Sequence, residues 1–167
     1  MQALQNNWRD PAYLSQGNAD QQAVYRALQS SRILDILQGY DPVLVGTYPI
    51  GIYLPDSDID IVCHALPGEA FESRLRDSFG HYHGFFVRKK TIRGEDCIIA
   101  GFVFSGFLFE VFGQNVPVEK QYAYRHMLIE HRLLTENDSN FRKRIMKQKE
   151  KGLSTEEAFC KVLGIPG

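Results

Sequence analysis

Apolar residues recur at helical spacing in three long segments of the chain. One such segment lies over 19–38 and another over 117–134. Between them, Phe71, Leu75 and Phe79 fall on one side of a third helix, which follows a Pro-Gly pair. Two shorter helices follow the 117–134 segment. The pattern therefore predicts a helix near the N-terminus, one in the middle of the chain, and a helical C-terminal part.

Five shorter apolar runs have the length and composition of β-strands. The first two cover 43–46 and 58–64. The other three are separated only by Arg93-Gly94 and Ser105-Gly106, pairs typical of tight turns, so an antiparallel meander is predicted. These three runs cover 85–92, 97–104 and 107–112. The order helix, strands, helix, strands, helices is that of an α/β or α+β protein.

The composition is that of a globular domain. The chain has 167 residues, of which 44% are hydrophobic and 12% aromatic, enough for a hydrophobic core. We predict a single domain over 1–167. Within it, 1–18 is expected to form an irregular N-terminal arm, and 117–167 are expected to form C-terminal helices packed on the sheet.

The charge and the terminal sequence indicate where the protein acts and what it binds. The net charge is −1, which disfavours long nucleic acid as a partner because nucleic-acid-binding proteins carry a basic surface. The N-terminus lacks the charged and apolar regions of a signal peptide, and no apolar run approaches the ~20 residues that span a bilayer. The three cysteines form no CxxC pair. We therefore expect a cytoplasmic protein without a membrane segment.

The segment from Gly46 to Asp60 carries the strongest chemical signal in the chain. Side chains alternate along a strand, so Asp58 and Asp60 are expected on one face. Two carboxylates at this spacing repel each other unless a cation lies between them, and Mg²⁺ with a phosphate is the natural occupant. Gly46 lets the backbone approach phosphate oxygens, and Thr47 can donate hydrogen bonds to them. The alternative is a solvent-facing strand edge whose polar positions happen to be acidic.

This segment resembles the signature of the nucleotidyltransferase superfamily related to DNA polymerase β, and in particular that of the minimal nucleotidyltransferases. The signature is a glycine followed by a small residue, a spacer, and two acidic residues on either side of an apolar one. The matching positions are Gly46, Thr47, Gly51, Pro55, Ser57, Asp58 and Asp60. The resemblance implies a mixed β-sheet flanked by helices, two Mg²⁺ ions, a nucleoside triphosphate as donor, and phosphate contacts from Ser57. One departure is Tyr48-Pro49-Ile50, which replaces a commonly basic stretch.

The whole chain is also similar to a bacterial family known as domain of unknown function 4269, which has a nucleotidyltransferase-like core. The similar segments are Trp8, 13–18, 40–60, 114–134 and 155–159. This resemblance supports the fold but implies no particular substrate.

The superfamily resemblance also implies a third carboxylate and cationic partners for a triphosphate. Glu110 is the best candidate for a third metal ligand, because a lone acid in so apolar a strand is costly to bury unless it is paired or metal-bound. An outward-facing edge charge is the alternative. Arg88 and Arg125 are the candidate phosphate ligands, chosen from basic clusters that also hold Arg93 and Lys120. For each of these cations, an ordinary solvated surface charge is the alternative.

Two functions fit these features. The first is a Mg²⁺-dependent nucleotidyltransferase that moves a nucleoside monophosphate from a nucleoside triphosphate to a hydroxyl of a small molecule or protein. The second is a catalytically degenerate module of the same fold that binds a nucleotide or a partner protein. Retention of Asp58, Asp60 and Glu110 favours the enzyme, and the altered turn at 48–50 favours the module.

Overall fold

A mixed five-stranded sheet organises the chain in the computed structural model, which describes residues 7–167. The strands are β1 Val43–Val45, β2 Ile59–His64, β3 Phe86–Ile92, β4 Glu95–Phe104 and β5 Phe107–Gln114. Their spatial order is β1-β2-β5-β4-β3. Only the β2–β5 pair is parallel; the other three pairs are antiparallel. The sheet and its flanking helices confirm the predicted α/β class.

In the described part of the chain, six α-helices flank the sheet. They are α1 Ala19–Ser31, α2 Ile33–Ile36, α3 Glu69–Phe79, α4 Tyr122–Glu136, α5 Ser139–Glu150 and α6 Thr155–Leu163. The predicted middle helix is confirmed as α3, with Phe71, Leu75 and Phe79 all buried. Within residues 7–167, no helix combines the length and the apolar character needed to cross a membrane.

Two of the predicted long helices are interrupted. The 19–38 segment breaks at Arg32, whose φ of 55° ends α1 before α2 begins. In a straight helix, at 100° per residue, Ile33 would lie about 140° around the axis from Leu28, so the two could not face the same core. The break allows both to be buried. Over 117–134, a short 3₁₀ turn and an extended Gln121 precede α4.

The predicted meander is confirmed. Strands β3, β4 and β5 pair in sequence order, and each of the two connections is a two-residue turn. Both residues of each turn have left-handed backbone conformations, with φ of 52° and 80° at Arg93-Gly94 and 51° and 79° at Ser105-Gly106. This geometry matches the right-handed twist of the strands that it joins.

Hydrophobic cores lie on both faces of the sheet. On one face, Ile61 and Phe109 pack in a cluster with buried residues of α1 and α3. On the other, Val62 packs in a cluster with Met127 of α4 and Ile145 of α5. The segment before α1 is not wholly irregular, because residues 11–16 form a 3₁₀ helix. The first six residues of the predicted arm lie outside the described residues.

Candidate functional site

The loop between β1 and β2 begins with a close approach to a carboxylate. Gly46 follows β1 directly and has a φ of 87°. A Cβ atom at this position would lie 2.7 Å from Oδ2 of Asp60. Glycine is therefore required both for the backbone conformation and for the space. Thr47 comes next, so the two residues predicted to contact phosphate lie directly beside an acidic side chain.

Two cationic side chains of α5 hold the same loop from behind. Nη1 of Arg142 donates to the carbonyl oxygens of Ile50 and Gly51 at 2.9 and 3.1 Å. Nζ of Lys149 donates to the carbonyl oxygen of Ile52 at 2.6 Å. Lys149 is 5% exposed, and its burial lowers its pKa. Nothing in the local sequence pattern indicates these contacts, because they join segments more than ninety residues apart.

The tyrosine-rich part of the loop is folded inwards. Tyr48 is buried, stacks on Tyr53 with a centroid separation of 4.7 Å, and donates its hydroxyl hydrogen to the carbonyl oxygen of Ser57 at 3.2 Å. Oγ of Ser57 accepts from the backbone amide of Leu54 at 2.8 Å. The Ser57 hydroxyl therefore stabilises a turn, and its own hydrogen remains available for donation. The predicted phosphate role of Ser57 stays a prediction.

The parallel pairing of β2 and β5 brings two of the predicted carboxylates together. Asp60 and Glu110 are direct partners in the register, so they extend from the same face of the sheet on neighbouring strands. Asp58 lies just before β2 begins. The alternative for Glu110, an outward-facing charge at a sheet edge, is wrong about the edge, because β5 is an interior strand beside β2.

Burial, more than mutual repulsion, raises the pKa of each of the three carboxyl groups. Burial, reinforced by the negative charges of Glu110 and Asp58, raises the pKa of Asp60 to about 8. Burial and the Asp58 charge raise the pKa of Glu110, against an opposing effect of Arg88. Burial and the neighbouring charge of Asp56 raise the pKa of Asp58. The site therefore disfavours its own ionised state.

Asp60 and Glu110 supply oxygen donors of the kind that a divalent cation prefers. Within the described range, no group of three or more His, Cys, Asp or Glu side chains has a metal-holding arrangement, so the three-ligand set remains a prediction. The chemistry nevertheless suits Mg²⁺: the dominant perturbations of Asp60 are desolvation and two negative neighbours. A bound cation reverses both effects, because its charge favours ionised carboxylates.

A pocket of about 590 Å³ opens in front of these groups, between the sheet and α4. Four of the predicted site residues line it: Gly46, Thr47, Asp60 and Glu110. The other lining side chains include apolar residues of both walls and polar groups from α4 and α6. Among them are Val62, Phe112, Gln114, Ala123, Met127 and Glu130.

The predicted cations do not line this pocket. Arg88 extends from the same sheet face as Glu110 and lies over the Phe86 ring, 5.3 Å from its centroid. Arg125 is exposed on α4. Lys120 and Arg93 line the pocket instead. The sequence places both in candidate basic clusters, but only the tertiary structure shows which cations of those clusters line the pocket.

The Arg93 guanidinium is held at the pocket by an aromatic ring. It lies 3.8 Å from the ring centroid of Tyr122, the first residue of α4. This cation–π contact connects the β3–β4 turn to the start of α4.

Further along α4, burial and the charge of Glu156 raise the pKa of Glu130 to about 7, against an opposing effect of Lys149.

Comparisons with known proteins agree with this architecture. The family model described as "Domain of unknown function (DUF4269)" matches residues 26–167. No match was found among functionally curated proteins. Among solved structures, the MgGTP-bound Cid1 poly(U) polymerase is 14% identical with a TM-score of 0.55, and 77% of this chain aligns with 41% of that one. The polymerase core of TRAMP, an RNA surveillance complex, is 19% identical with a TM-score of 0.51, and 89% of this chain aligns with 50% of that one.

A cytoplasmic RNA terminal U-transferase is similar to the same degree. It is 14% identical with a TM-score of 0.52, and 83% of this chain aligns with 42% of that one. At these identities the likeness is one of fold. The chain spans half or less of the length of each of these three structures.

Proposed function

Because this chain belongs to the family described as Domain of unknown function (DUF4269) and has the fold of nucleotidyltransferases, we propose that it transfers a nucleoside monophosphate from a nucleoside triphosphate to a hydroxyl group. The observation that carries the proposal is the pairing of Asp60 with Glu110 beside Gly46, at one end of an open pocket. The net charge of −1 favours a small molecule or a protein as the acceptor over a long nucleic acid.

The proposed reaction uses the groups around this end of the pocket. Asp58, Asp60 and Glu110 would hold two Mg²⁺ ions, which would neutralise the phosphates and polarise the phosphorus under attack. Gly46 and Thr47 would approach the phosphate oxygens. The acceptor oxygen would form a bond to the α-phosphorus while the bond to the bridging oxygen breaks, releasing pyrophosphate.

Glu110 is the proposed acceptor of the hydroxyl proton. With the cations bound its carboxylate would be ionised, and the β2–β5 register sets it beside Asp60 within the site. Lys120 and Arg93, which line the pocket, would add positive charge near the triphosphate in place of the basic residues that 48–50 lack.

Thermal unfolding with each nucleoside triphosphate, with and without Mg²⁺, tests this proposal. Saturation at about 100 times Kd should stabilise the wild type by about 2.7 kcal/mol, and only when Mg²⁺ is present. Asp60→Asn should lose this stabilisation. The matched control Asp77→Asn, an exposed aspartate on α3, should keep it. Equal stabilisation of the wild type and Asp60→Asn would contradict metal-bridged nucleotide binding.

A nucleotide-binding module without catalysis is the second candidate. It is favoured by one observation: Tyr48 and Ile50 are buried, so this part of the loop offers no cation to a triphosphate. This candidate predicts Mg²⁺-dependent stabilisation without release of pyrophosphate. The enzyme predicts pyrophosphate release and labelling of an acceptor from an α-labelled nucleotide when hydroxyl-bearing small molecules or proteins are supplied.

A further inference from the structure

Strand β5 presents three pocket residues in a row. Glu110, Phe112 and Gln114 occupy alternate positions, so their side chains extend from the same face of the sheet, and all three line the pocket. At about 3.3 Å per residue, Phe112 lies about 7 Å and Gln114 about 13 Å along the strand from Glu110. The strand therefore leads from the carboxylates to a chemically different end of the same pocket.

The middle of this row is flat and apolar. Phe112 is half-buried and is the direct partner of Val62 in the β2–β5 register. Ala123 and Met127 of α4 also line this part of the pocket. Phe112 packs partly against the core cluster that holds Val62 and Met127, and its accessible part lines the pocket, where no aromatic ring of residues 7–167 stacks on it. A planar group can therefore lie against this ring.

The far end carries a glutamine amide that is available to a ligand. Gln114 is only 8% exposed. The side-chain hydrogen bonds of residues 7–167 around this end are formed by Gln121, His64 and Cys97 and leave the Gln114 amide unused. Neither polar atom of this amide is among the fully buried ones that lack a partner, so the amide is accessible from the pocket and can both donate to and accept from a ligand.

A second glutamine fixes the distance between the start of α4 and the sheet at this end of the pocket. Nε2 of Gln121 donates to the carbonyl oxygens of Cys63 and Val116, both at 2.9 Å, which ties the start of α4 to the end of β2. Its Oε1 has no hydrogen-bond partner among the described residues. The roof over Phe112 is thus anchored, and the slot between α4 and the sheet has a defined width.

We propose that this row binds the nucleoside part of the triphosphate, with the base against Phe112 and Val62 and its polar edge at Gln114. This inference rests on the proposed function, since it places the phosphates at Asp60 and Glu110. A nucleobase fits because it is planar, has an apolar face, and carries donors and acceptors along one edge. The distance along β5 leaves room for the sugar between the two ends.

Titration calorimetry with Mg²⁺ and three kinds of ligand tests this site: tripolyphosphate, ribose 5-triphosphate and the four nucleoside triphosphates. The preferred nucleoside triphosphate should bind the wild type about tenfold more tightly than ribose 5-triphosphate, because only it has a base to stack. Phe112→Leu should remove most of that difference. Gln114→Leu should weaken the preferred nucleotide about fivefold and change the ranking of the four bases, with ribose 5-triphosphate unaffected.

Two further variants make the test specific. Gln148→Leu is the matched control, because Gln148 is also a glutamine that is not exposed but does not line the pocket; it should behave as the wild type. Gln114→Glu keeps a polar group and should shift the ranking towards bases with an exocyclic amino group. Thermal unfolding confirms that each variant is folded.

The outcomes separate the two proposals. If nucleoside triphosphates bind no more tightly than ribose 5-triphosphate, or if the base ranking is the same in Gln114→Leu and Gln114→Glu as in the wild type, the base site is wrong and the proposed function stands. If no triphosphate binds the wild type in the presence of Mg²⁺, both are wrong.

Discussion

Replacing Asp60 by asparagine should stabilise the metal-free protein at neutral pH. Burial, together with the charges of Glu110 and Asp58, raises the pKa of Asp60 from 3.8 to about 8. The folded state therefore holds this proton more tightly than the unfolded state does. Its contribution to the free energy of unfolding is fully present below pH 4 and is lost as the pH rises towards 8. Asparagine has the same shape and does not titrate, so it avoids this loss.

The magnitude follows from the linkage between protonation and folding. Neutral pH lies about three units above the ordinary aspartate pKa, and each unit corresponds to 1.36 kcal/mol. The ceiling on the loss between pH 4 and pH 7 is therefore about 4 kcal/mol. Because Asp60 lines an open pocket, water reduces this effect, and we expect about 2 kcal/mol. Asp60→Asn should be more stable than the wild type by that amount at pH 7.

Urea unfolding between pH 4.5 and pH 8, with and without Mg²⁺, measures this effect. Without metal, the wild type should lose stability as the pH rises, and Asp60→Asn should have a flatter profile. Mg²⁺ should restore stability to the wild type at pH 7 and leave the variant unchanged, while Asp77→Asn should follow the wild type. A lower stability of Asp60→Asn than of the wild type at pH 7, or the same pH dependence in both proteins, would contradict a raised pKa of Asp60.

Three other substitutions test separate parts of the structure by urea unfolding. Gly46→Ala should lower the free energy of unfolding by about 1–3 kcal/mol and weaken the Mg²⁺ response, because its Cβ would contact Asp60 and the position has a φ of 87°. Gly39→Ala, where a Cβ would meet open space, is the control. Equal effects of the two substitutions would contradict the steric argument. Lys149→Met should lower the free energy of unfolding by about 2–3 kcal/mol, because it leaves the carbonyl oxygen of Ile52 unpaired. An unchanged stability would show that water replaces the ammonium group. Ser154→Ala should cost about 1 kcal/mol through loss of the α6 N-cap without changing the Mg²⁺ response; a changed response would contradict a purely local role.

The parts of the fold that depend on local pattern could be predicted from the sequence. The meander follows from strand-length apolar runs joined by Arg93-Gly94 and Ser105-Gly106, since both pairs adopt the backbone conformations that such turns require. The break at Arg32 could not be predicted, because Ala27, Leu34 and Leu37 keep helical spacing across it, although Ile33 does not. It is the packing of α2 against the rest of the core that decides where α1 ends.

For the candidate site too, some residues could be placed from the sequence and others only from the tertiary structure. Alternation along a strand makes it possible to place Asp60 on one face of β2, but the register that sets Glu110 beside it comes from pairing strands far apart in the sequence. Arg93 and Lys120 could not be distinguished from the other cations, because position along a chain says little about which long side chain reaches a pocket. The supports from α5 have no local signal at all.

Those supports also determine when the site can form during synthesis. Arg142 and Lys149 hold loop carbonyls that are translated 91 to 97 residues earlier. At 5–20 residues per second, the loop leaves the ribosome roughly 5–20 s before its supports. A nascent chain that already contains Gly46, Asp60 and Glu110 therefore still lacks the groups that fix their loop. The proposed binding of a magnesium–nucleotide complex should therefore begin only once α5 has been made and has docked.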